Sequence, residues 1–347
     1  MRTVTLRPPA TRNASYSILI GEESLKELPK LIGTLGHFDS VAILHDEAVA
    51  PVAENLQKRL TASCRVSIPS EERSKSLKEV ARIVSELLRN GVTRQSLLLN
   101  VGGGMVTDLG GFVASVYMRG IAFLNVPTTL LGMVDASVGG KTGVNLREAK
   151  NVIGHYHHPK AVIIDIHMLE SLPEEQFREG LVEVIKIAAI ADAAFFETFE
   201  RELPALLARD NDALCSCIAD AVRLKAQIVG DDVQDEGRRL LLNFGHTVGH
   251  ALEVLSNFHL SHAKAISIGM VQEMSLARTK DAPRVTALLQ AIGMPTEFPE
   301  NCATDDLFAI MQKDKKTLDH DERFAAPTTI GMGAVLRLTA DLFHSLP

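Results

Sequence analysis

From Gly102 to Asn151 the chain reads GGGMVTDLGGFVASVYMRGIAFLNVPTTLLGMVDASVGGKTGVNLREAKN, and three of its glycines directly follow the apolar run SLLLNV. A strand that feeds glycines brings backbone amides close to a ligand. Asp108, Arg119, Thr128, Thr129, Asp135, Lys141, Asn145, Lys150 and Asn151 follow, spaced through otherwise apolar or glycine-rich sequence. Polar groups dispersed through buried-looking sequence need partners, and a bound polar ligand supplies them. Gly102 and Gly104 make a GxG element, but Thr107 stands where the dinucleotide fingerprint has its third glycine. Taken alone, this element reads as a tight strand-to-helix turn. Its neighbours strengthen the ligand reading: Asp108 lies close behind, and the Pro127-Thr128-Thr129 turn ends the next strand, so two strand ends face one crevice.

A second constellation follows. Glu183 and Lys186, three apart in EGLVEVIKI, share a helix face; by itself this reads as a buried ion pair. In RRLLLNFGHTVGHALE, taken as one helix, Arg239, Asn243, His246 and His250 fall at i, i+4, i+7 and i+11, within about 60° of arc. Histidines at i and i+4 can ligate one metal, although a satisfied core histidine is the commoner outcome of HxxxH alone. His262 precedes a further small-residue helix, AKAISIGM. One carboxylate and two imidazoles suit Zn²⁺ with positions open to substrate oxygens, and the spacing leaves open which two of His246, His250, His259 and His262 supply them.

Alternating elements must position these groups. SVAILHD, CRVSIP, SLLLNVG, AFLNVP and AVIIDI read as buried strands; AVAPVAENLQKRL, SLKEVARIVSELLRNG (closed by Gly91) and DLGGFVASVYM read as helices between them. That alternation implies a mainly parallel sheet with its ligand at the carboxyl ends of the strands. TVTLRPP and SYSILIG could pair ahead of it as an antiparallel edge. After Pro173, long 3.6-residue periods dominate until FAAPTTIG and AVLRLT. The expected architecture is an α/β dinucleotide-binding (Rossmann-like) domain over residues 1–173 and an all-α metal-binding domain over 174–347.

Composition excludes other classes. A net charge of −7 with no basic tail argues against a general nucleic-acid binder. No apolar run reaches the roughly 20 residues of a membrane span. The N-terminal MRTVTLRPPATRN has no signal-peptide apolar stretch, and the four cysteines lack a CxxC or disulfide-framework spacing, so a reducing cytoplasm is expected.

Taken together, SYSILIG, PSEERSKS, GGGMVTDLGGF, RGIAFLNVPTTLL, VDASVGGKTGVN, AKNVIGHYHHP, GLVEVIK, LLNFGHTVGHALE and DKK followed by RF make the chain resemble the 3-dehydroquinate synthase family of sugar phosphate cyclases. The resemblance runs nearly end to end. It implies an NAD-binding α/β domain, a helical metal domain, an active site between them and a homodimer. It implies Glu183, His246 and His262 as ligands of a divalent metal (Zn²⁺, with Co²⁺ an alternative), which makes His250 a substrate-side group. NAD contacts carried over are Glu72, Lys75, the turn Gly104, Met105, Val106, Thr107 and Asp108, then Thr128, Thr129, Lys141, Lys150, and Met168, Leu169, Glu170 and Ser171. Substrate contacts carried over are Asp135, Lys141, Asn151, Lys186, Lys225, Arg239, Asn243, His250 and Lys315, with Arg119 reaching across the dimer.

The implied reaction turns 3-deoxy-D-arabino-heptulosonate 7-phosphate into 3-dehydroquinate and phosphate, a carbon–oxygen lyase step of the shikimate pathway to aromatic amino acids. It runs through transient oxidation by NAD, β-elimination of phosphate, re-reduction and intramolecular aldol closure. Glu71, Arg73 and Ser74 depart from the family's pattern near the adenosine side, as do Ala263 and Lys264 beside His262, Ile187 and His155. Three competing readings remain: a related cyclase acting on another sugar phosphate, a metal-dependent alcohol or glycerol dehydrogenase, and a cyclase-like binding protein. The GGK and AKN blocks with Arg239 favour a phosphorylated, carboxylated substrate.

Overall fold

Buried runs such as VAILHD and LLLNVG, apolar at consecutive rather than alternate positions, demand a sheet covered on both faces. The computed structural model describes residues 15–146, 150–232, 235, 237–257, 259–300, 302, 307, 309–311 and 323–339. Its first part runs β1 (Ser17–Gly21), α1 (Leu28–Leu35), β2 (Val41–Asp46), α2 (Ala50–Leu60), β3 (Cys64–Ile68), α3 (Leu77–Arg89), β4 (Leu97–Gly102), α4 (Gly104–Val116) and β5 (Ala122–Pro127). After these come a short hairpin, β6 (Lys141–Val144) with β7 (Ile153–Tyr156), and then β8 (Ala161–Asp165).

Six strands form one sheet in the order β1-β8-β5-β4-β2-β3, every pairing parallel. Side chains alternate faces along each strand. Ile43, Leu97, Leu99, Val101 and Leu124 therefore meet Leu28, Ala53 and Leu56 of α1 and α2 on one side. Ala42, Leu44, Leu98 and Phe123 meet Ile83, Leu87, Phe112 and Val113 of α3 and α4 on the other. The strand order reverses between β2 and β4, so the carboxyl ends of these two strands form the crevice where such sheets bind ligands.

The expected antiparallel edge is corrected by this topology. SYSILIG supplies β1, which runs parallel to β8 with Ser17 opposite Ala161 and Gly21 opposite Asp165. The proposed partner TVTLRPP lies outside the described residues.

The remainder is helical: α5 (Glu174–Ala191), α6 (Ala193–Leu207), α7 (Asn211–Asp231), α8 (His246–Leu255), α9 (His262–Ala277) and α10 (Ala282–Ala291), then the hairpin β9 (Arg323–Thr329) and β10 (Met332–Arg337) where FAAPTTIG and AVLRLT signalled strands. Helix α5 is buried on nearly every side from Gly180 to Ile190, which marks a central helix. It packs on α6, α7, α9, α10 and the hairpin. Asp192 separates α5 from α6 by accepting the N–H groups of Ala194 (2.9 Å) and Phe195 (3.0 Å), so one long periodic stretch becomes two helices.

The single helix expected over Arg239–His250 does not form. Arg238–Asn243 is a 3-10 turn, Phe244 is extended, and Gly245 has φ +81°. Here α8 and α9 nearly touch: a Cβ on Gly269 would lie 2.0 Å from the Gly245 carbonyl oxygen. Glu273 of α9, fully buried, accepts the N–H groups of Gly245 (2.6 Å) and Val248 (3.0 Å) and so anchors the start of α8. The break re-aims His246 onto a new helix, independent of Arg239.

Candidate active site

A cavity of about 640 Å³ opens between the carboxyl end of the sheet and helices α5, α7, α8 and α9. Six cations line it (Lys75, Lys141, Lys150, Lys186, Lys225, Arg239) against four carboxylates (Glu72, Asp108, Asp135, Glu253). A cation-rich cavity in a chain of net charge −7 selects an anionic small molecule.

On the sheet side, Gly103 precedes α4 and no side chain caps that helix. Its first amides therefore remain for an anion, and the helix dipole favours one there. The glycines are needed for closeness: a Cβ on Gly102 would meet Val106 at 2.6 Å, and one on Gly103 would meet Thr129 at 3.0 Å. Lys75, 4% exposed, donates to Asp108 (2.6 Å) and to the side-chain oxygen of Asn151, tying the segment after β3 to α4 and the residue 150 turn. Burial works against the Lys75 ammonium, but Asp108 and Glu72 outweigh it and raise its pKa. Glu72 accepts from Asn145 (2.8 Å) at the rim. These residues fit the pyrophosphate and ribose end of a dinucleotide.

The deeper wall is a chain of charges. Lys225 of α7 donates to the Asp135 carbonyl (2.5 Å) and pairs with its carboxylate. Lys186 pairs with Glu183 one turn away on α5, both 3% exposed. Burial would raise Asp135, yet Lys225 and then Lys186 hold its carboxyl well below the usual range. Burial lowers Lys225; Asp135 opposes that shift, while Lys186 and Arg239 add to it. Arg239, 2% exposed, donates to the Gly139 carbonyl (3.0 Å) and sits 5.7 Å from the Tyr156 ring centroid.

On the helical side, Glu183, His246 and His262 each bring one donor atom within 4.8 Å of the others. Glu183 Oε2 pairs with the Lys186 ammonium, while its Oε1 is buried without a hydrogen-bonded partner and so is open to a metal ion. His246 Nδ1 lies 3.1 Å from the Phe244 carbonyl, which leaves Nε2 as the donor atom. Burial, then Lys186, His250 and His262, push the His246 pKa well below the ordinary value, so the imidazole is neutral, as a ligand must be. His262 places Nε2 3.9 Å from Glu183 Oε1. One carboxylate and two imidazoles fit Zn²⁺ or a similar divalent ion. A second group, His250, Glu253 and His262, meets the same distance and shares His262.

Other expected residues sit elsewhere. Lys315 lies outside the described residues. Arg119 is exposed at φ +66° beside Met118 at φ +49°, and does not line the cavity. Val106, Thr107, Thr128, Thr129 and the Met168–Ser171 stretch are not among the lining residues either. Thr129 Oγ1 accepts the Gly132 N–H (3.1 Å), and Thr128 is buried. Arg209 holds the carbonyls of Leu169 (2.5 Å) and Leu172 (2.8 Å).

Lys141 pairs with Asp235, and Lys150 with Glu253 (2.7 Å). Asp235, Tyr156 and Glu253 were missed by sequence reasoning. Glu253 carries a usable signal, standing at i+7 from His246 and i+3 from His250 on one face of α8. Of the departures, Lys264 reaches away to Glu175 (2.5 Å) and Arg73 pairs with Glu71 at the exposed surface, whereas His155 lines the cavity.

A parallel sheet with an open helix N-terminus at its switch point, joined to a helical divalent-metal donor set, defines a nucleotide- and metal-dependent enzyme class. The family model for the 3-dehydroquinate synthase N-terminal region matches residues 65–179, and that for the C-terminal region matches residues 180–317. A 3-dehydroquinate synthase of Acidithiobacillus ferrooxidans is 43% identical over 307 residues, 85% of this chain and 84% of its own. One from Xylella fastidiosa is 40% identical over 337 residues, 92% and 90% of the two chains. Among solved structures, 2-epi-5-epi-valiolone synthase from Streptomyces hygroscopicus subsp. jinggangensis, with NAD⁺ and Zn²⁺ bound, superposes with a TM-score of 0.87 at 27% identity over 98% of both chains. The chain belongs to the 3-dehydroquinate synthase family.

Proposed function

We propose that the protein is a 3-dehydroquinate synthase, converting 3-deoxy-D-arabino-heptulosonate 7-phosphate to 3-dehydroquinate and phosphate. The observation that carries this reading is the cation-rich cavity that closes on the Glu183, His246 and His262 donor set, in a chain of this family. Glu72, Lys75, the Gly104–Asp108 turn and Lys150 would hold NAD, and Thr128, Thr129 and the Met168–Ser171 stretch are assigned to it on the sequence resemblance. Glu183, His246 and His262 would hold the metal. His250, exposed on α8, is left to the substrate. When bound, the two groups supply reversible hydride chemistry and a Lewis acid for hydroxyl oxygens.

The chain's own residues bind and orient. Asp135, kept ionised by Lys225 and Lys186, accepts hydrogen bonds from substrate hydroxyls. Arg239 is assigned to the substrate carboxylate, a planar match that Lys cannot give. Lys141, Lys150, Asn151 and His250 receive the phosphate with charge-assisted donors. Lys141 and Lys150 must first exchange Asp235 and Glu253 for that anion. Lys315 is assigned to the same anion on the sequence resemblance.

The reading divides the chain near residue 173 into a nucleotide half and a metal half. It also makes the protein a cytoplasmic homodimer. Free thiols at Cys64, Cys215 and Cys217 suit a reducing compartment. The strained, exposed Met118-Arg119 turn suits a residue offered to a partner subunit's cavity.

The test is substrate choice. The heptulosonate phosphate should be converted to 3-dehydroquinate, and the same sugar phosphate lacking the carboxylate should not be turned over. Equal turnover of both would overturn the assignment in favour of a related cyclase.

A further inference from the structure

We propose that Glu253 is a positioning residue that fixes which nitrogen of His262 faces the metal site. The inference rests on the donor set assigned above. Glu253 is only 1% exposed and directly follows the buried Ala251 and Leu252 of α8. A carboxylate so placed persists only with partners. Its Oε1 lies 2.7 Å from Lys150 Nζ and 3.4 Å from His262 Nδ1. An imidazole carries one proton when neutral, and the hydrogen bond at one nitrogen decides where it sits. A proton held on Nδ1 toward Glu253 leaves the Nε2 lone pair free, and Nε2 is the atom 3.9 Å from Glu183 Oε1. The other tautomer would donate from Nε2 to Glu183 and remove both donors at once.

His246 obtains the same service from a backbone carbonyl, that of Phe244. His262 is the first residue of α9, and its orienting group comes instead from the side chain on α8. Lys150 draws on the same oxygen of Glu253, so it competes with His262 for that carboxylate. Removing Lys150 therefore leaves the orienting charge wholly on His262.

The full-length, metal-stripped protein should be titrated with Zn²⁺ against a chromophoric chelator, as wild type, Glu253→Gln and Lys150→Met. Glu253→Gln keeps the shape and loses the charge; it should bind Zn²⁺ about 10–100-fold more weakly. Lys150→Met should bind as tightly as wild type or tighter, although it breaks the same ion pair. Equal affinity in wild type and Glu253→Gln would overturn the inference. So would a Lys150→Met protein weakened tenfold, since the ion pair would then matter only to the local fold; this arm stands even where Glu253→Gln misfolds. A wild-type protein that binds no Zn²⁺ would sink the donor-set assignment itself, a separate result.

Discussion

Gly269→Ala sets two opposed effects against each other, and the structure decides between them. In a helix interior alanine is better than glycine by about 1 kcal/mol. Gly269 lies within α9, so propensity alone predicts stabilisation. The added Cβ, however, would stand 2.0 Å from the Gly245 carbonyl oxygen and 2.9 Å from the Gly249 amide nitrogen. Both are backbone atoms, so no side-chain rotation relieves the clash. A carbon–oxygen contact rests at about 3.3 Å or more, so α8 and α9 must part by roughly 1 Å. Overpacking of this kind costs about 1–3 kcal/mol, and with rigid neighbours the upper end applies. The expected net loss is about 2 kcal/mol.

The separation also moves His246, on α8, away from His262, on α9, and strains the Glu273 hydrogen bonds to Gly245 and Val248. Thermal or denaturant unfolding of the metal-free protein measures the first effect, and Zn²⁺ affinity by chelator competition measures the second. Unfolding free energy should fall and metal affinity should drop at least tenfold. A protein stabilised by about 1 kcal/mol with unchanged metal affinity would refute the close-approach argument, because propensity would have prevailed.

His246→Ala should abolish both metal retention and turnover, while His250→Ala should keep stoichiometric metal and lose catalysis; metal analysis of the purified variants decides, and loss of metal from His250→Ala would transfer the ligand role to the second donor group. Lys225→Met removes the buried partner of Asp135, whose side chain is 32% exposed, and leaves that carboxylate to Lys186, so turnover should fall at least 100-fold with a stability loss of about 1–2 kcal/mol; steady-state kinetics with a denaturation curve checks both. Burial, with Asp220 and Glu202 adding to it, pushes the Cys217 thiol up to about 12. Since the thiolate is the nucleophile, iodoacetamide at pH 8 should spare Cys217 in the native protein and modify it after unfolding, as peptide mapping would show.

Much of this fold is legible in local pattern. Strand runs such as VAILHD and AVIIDI sit where their apolar continuity places them, because a sheet covered on both faces demands it. Gly91 ends α3 with φ +71°, as its position after the amphipathic run suggests. The direction of β1 was not legible: its partner β8 lies about 140 residues away, and nothing in SYSILIG specifies a parallel neighbour. The 239–250 stretch misled for a related reason. Its 3.6-residue spacing is real, but the close passage of α9 and the Glu273 carboxylate impose a left-handed Gly245 that local periodicity cannot reveal.

The site divides in the same way. Glu183, Lys186, Lys225, Arg239, His246 and His262 do converge, though they come from five separate segments. For single residues such as Lys225, only the family blocks raised them above a solvated charge. Glu253 was within reach of sequence reasoning, standing on the same face of α8 as both histidines. Asp235 was not, since its meaning lies in Lys141, 94 positions earlier.

The most direct measurement follows phosphate release and the NADH absorbance band together, with metal-replete enzyme, heptulosonate phosphate and NAD⁺ well below the substrate concentration. The account predicts many equivalents of phosphate and 3-dehydroquinate per NAD⁺ with no net NADH, because the hydride taken is returned in each turnover. NADH accumulating in step with substrate consumption, without phosphate, would contradict it and mark a dehydrogenase.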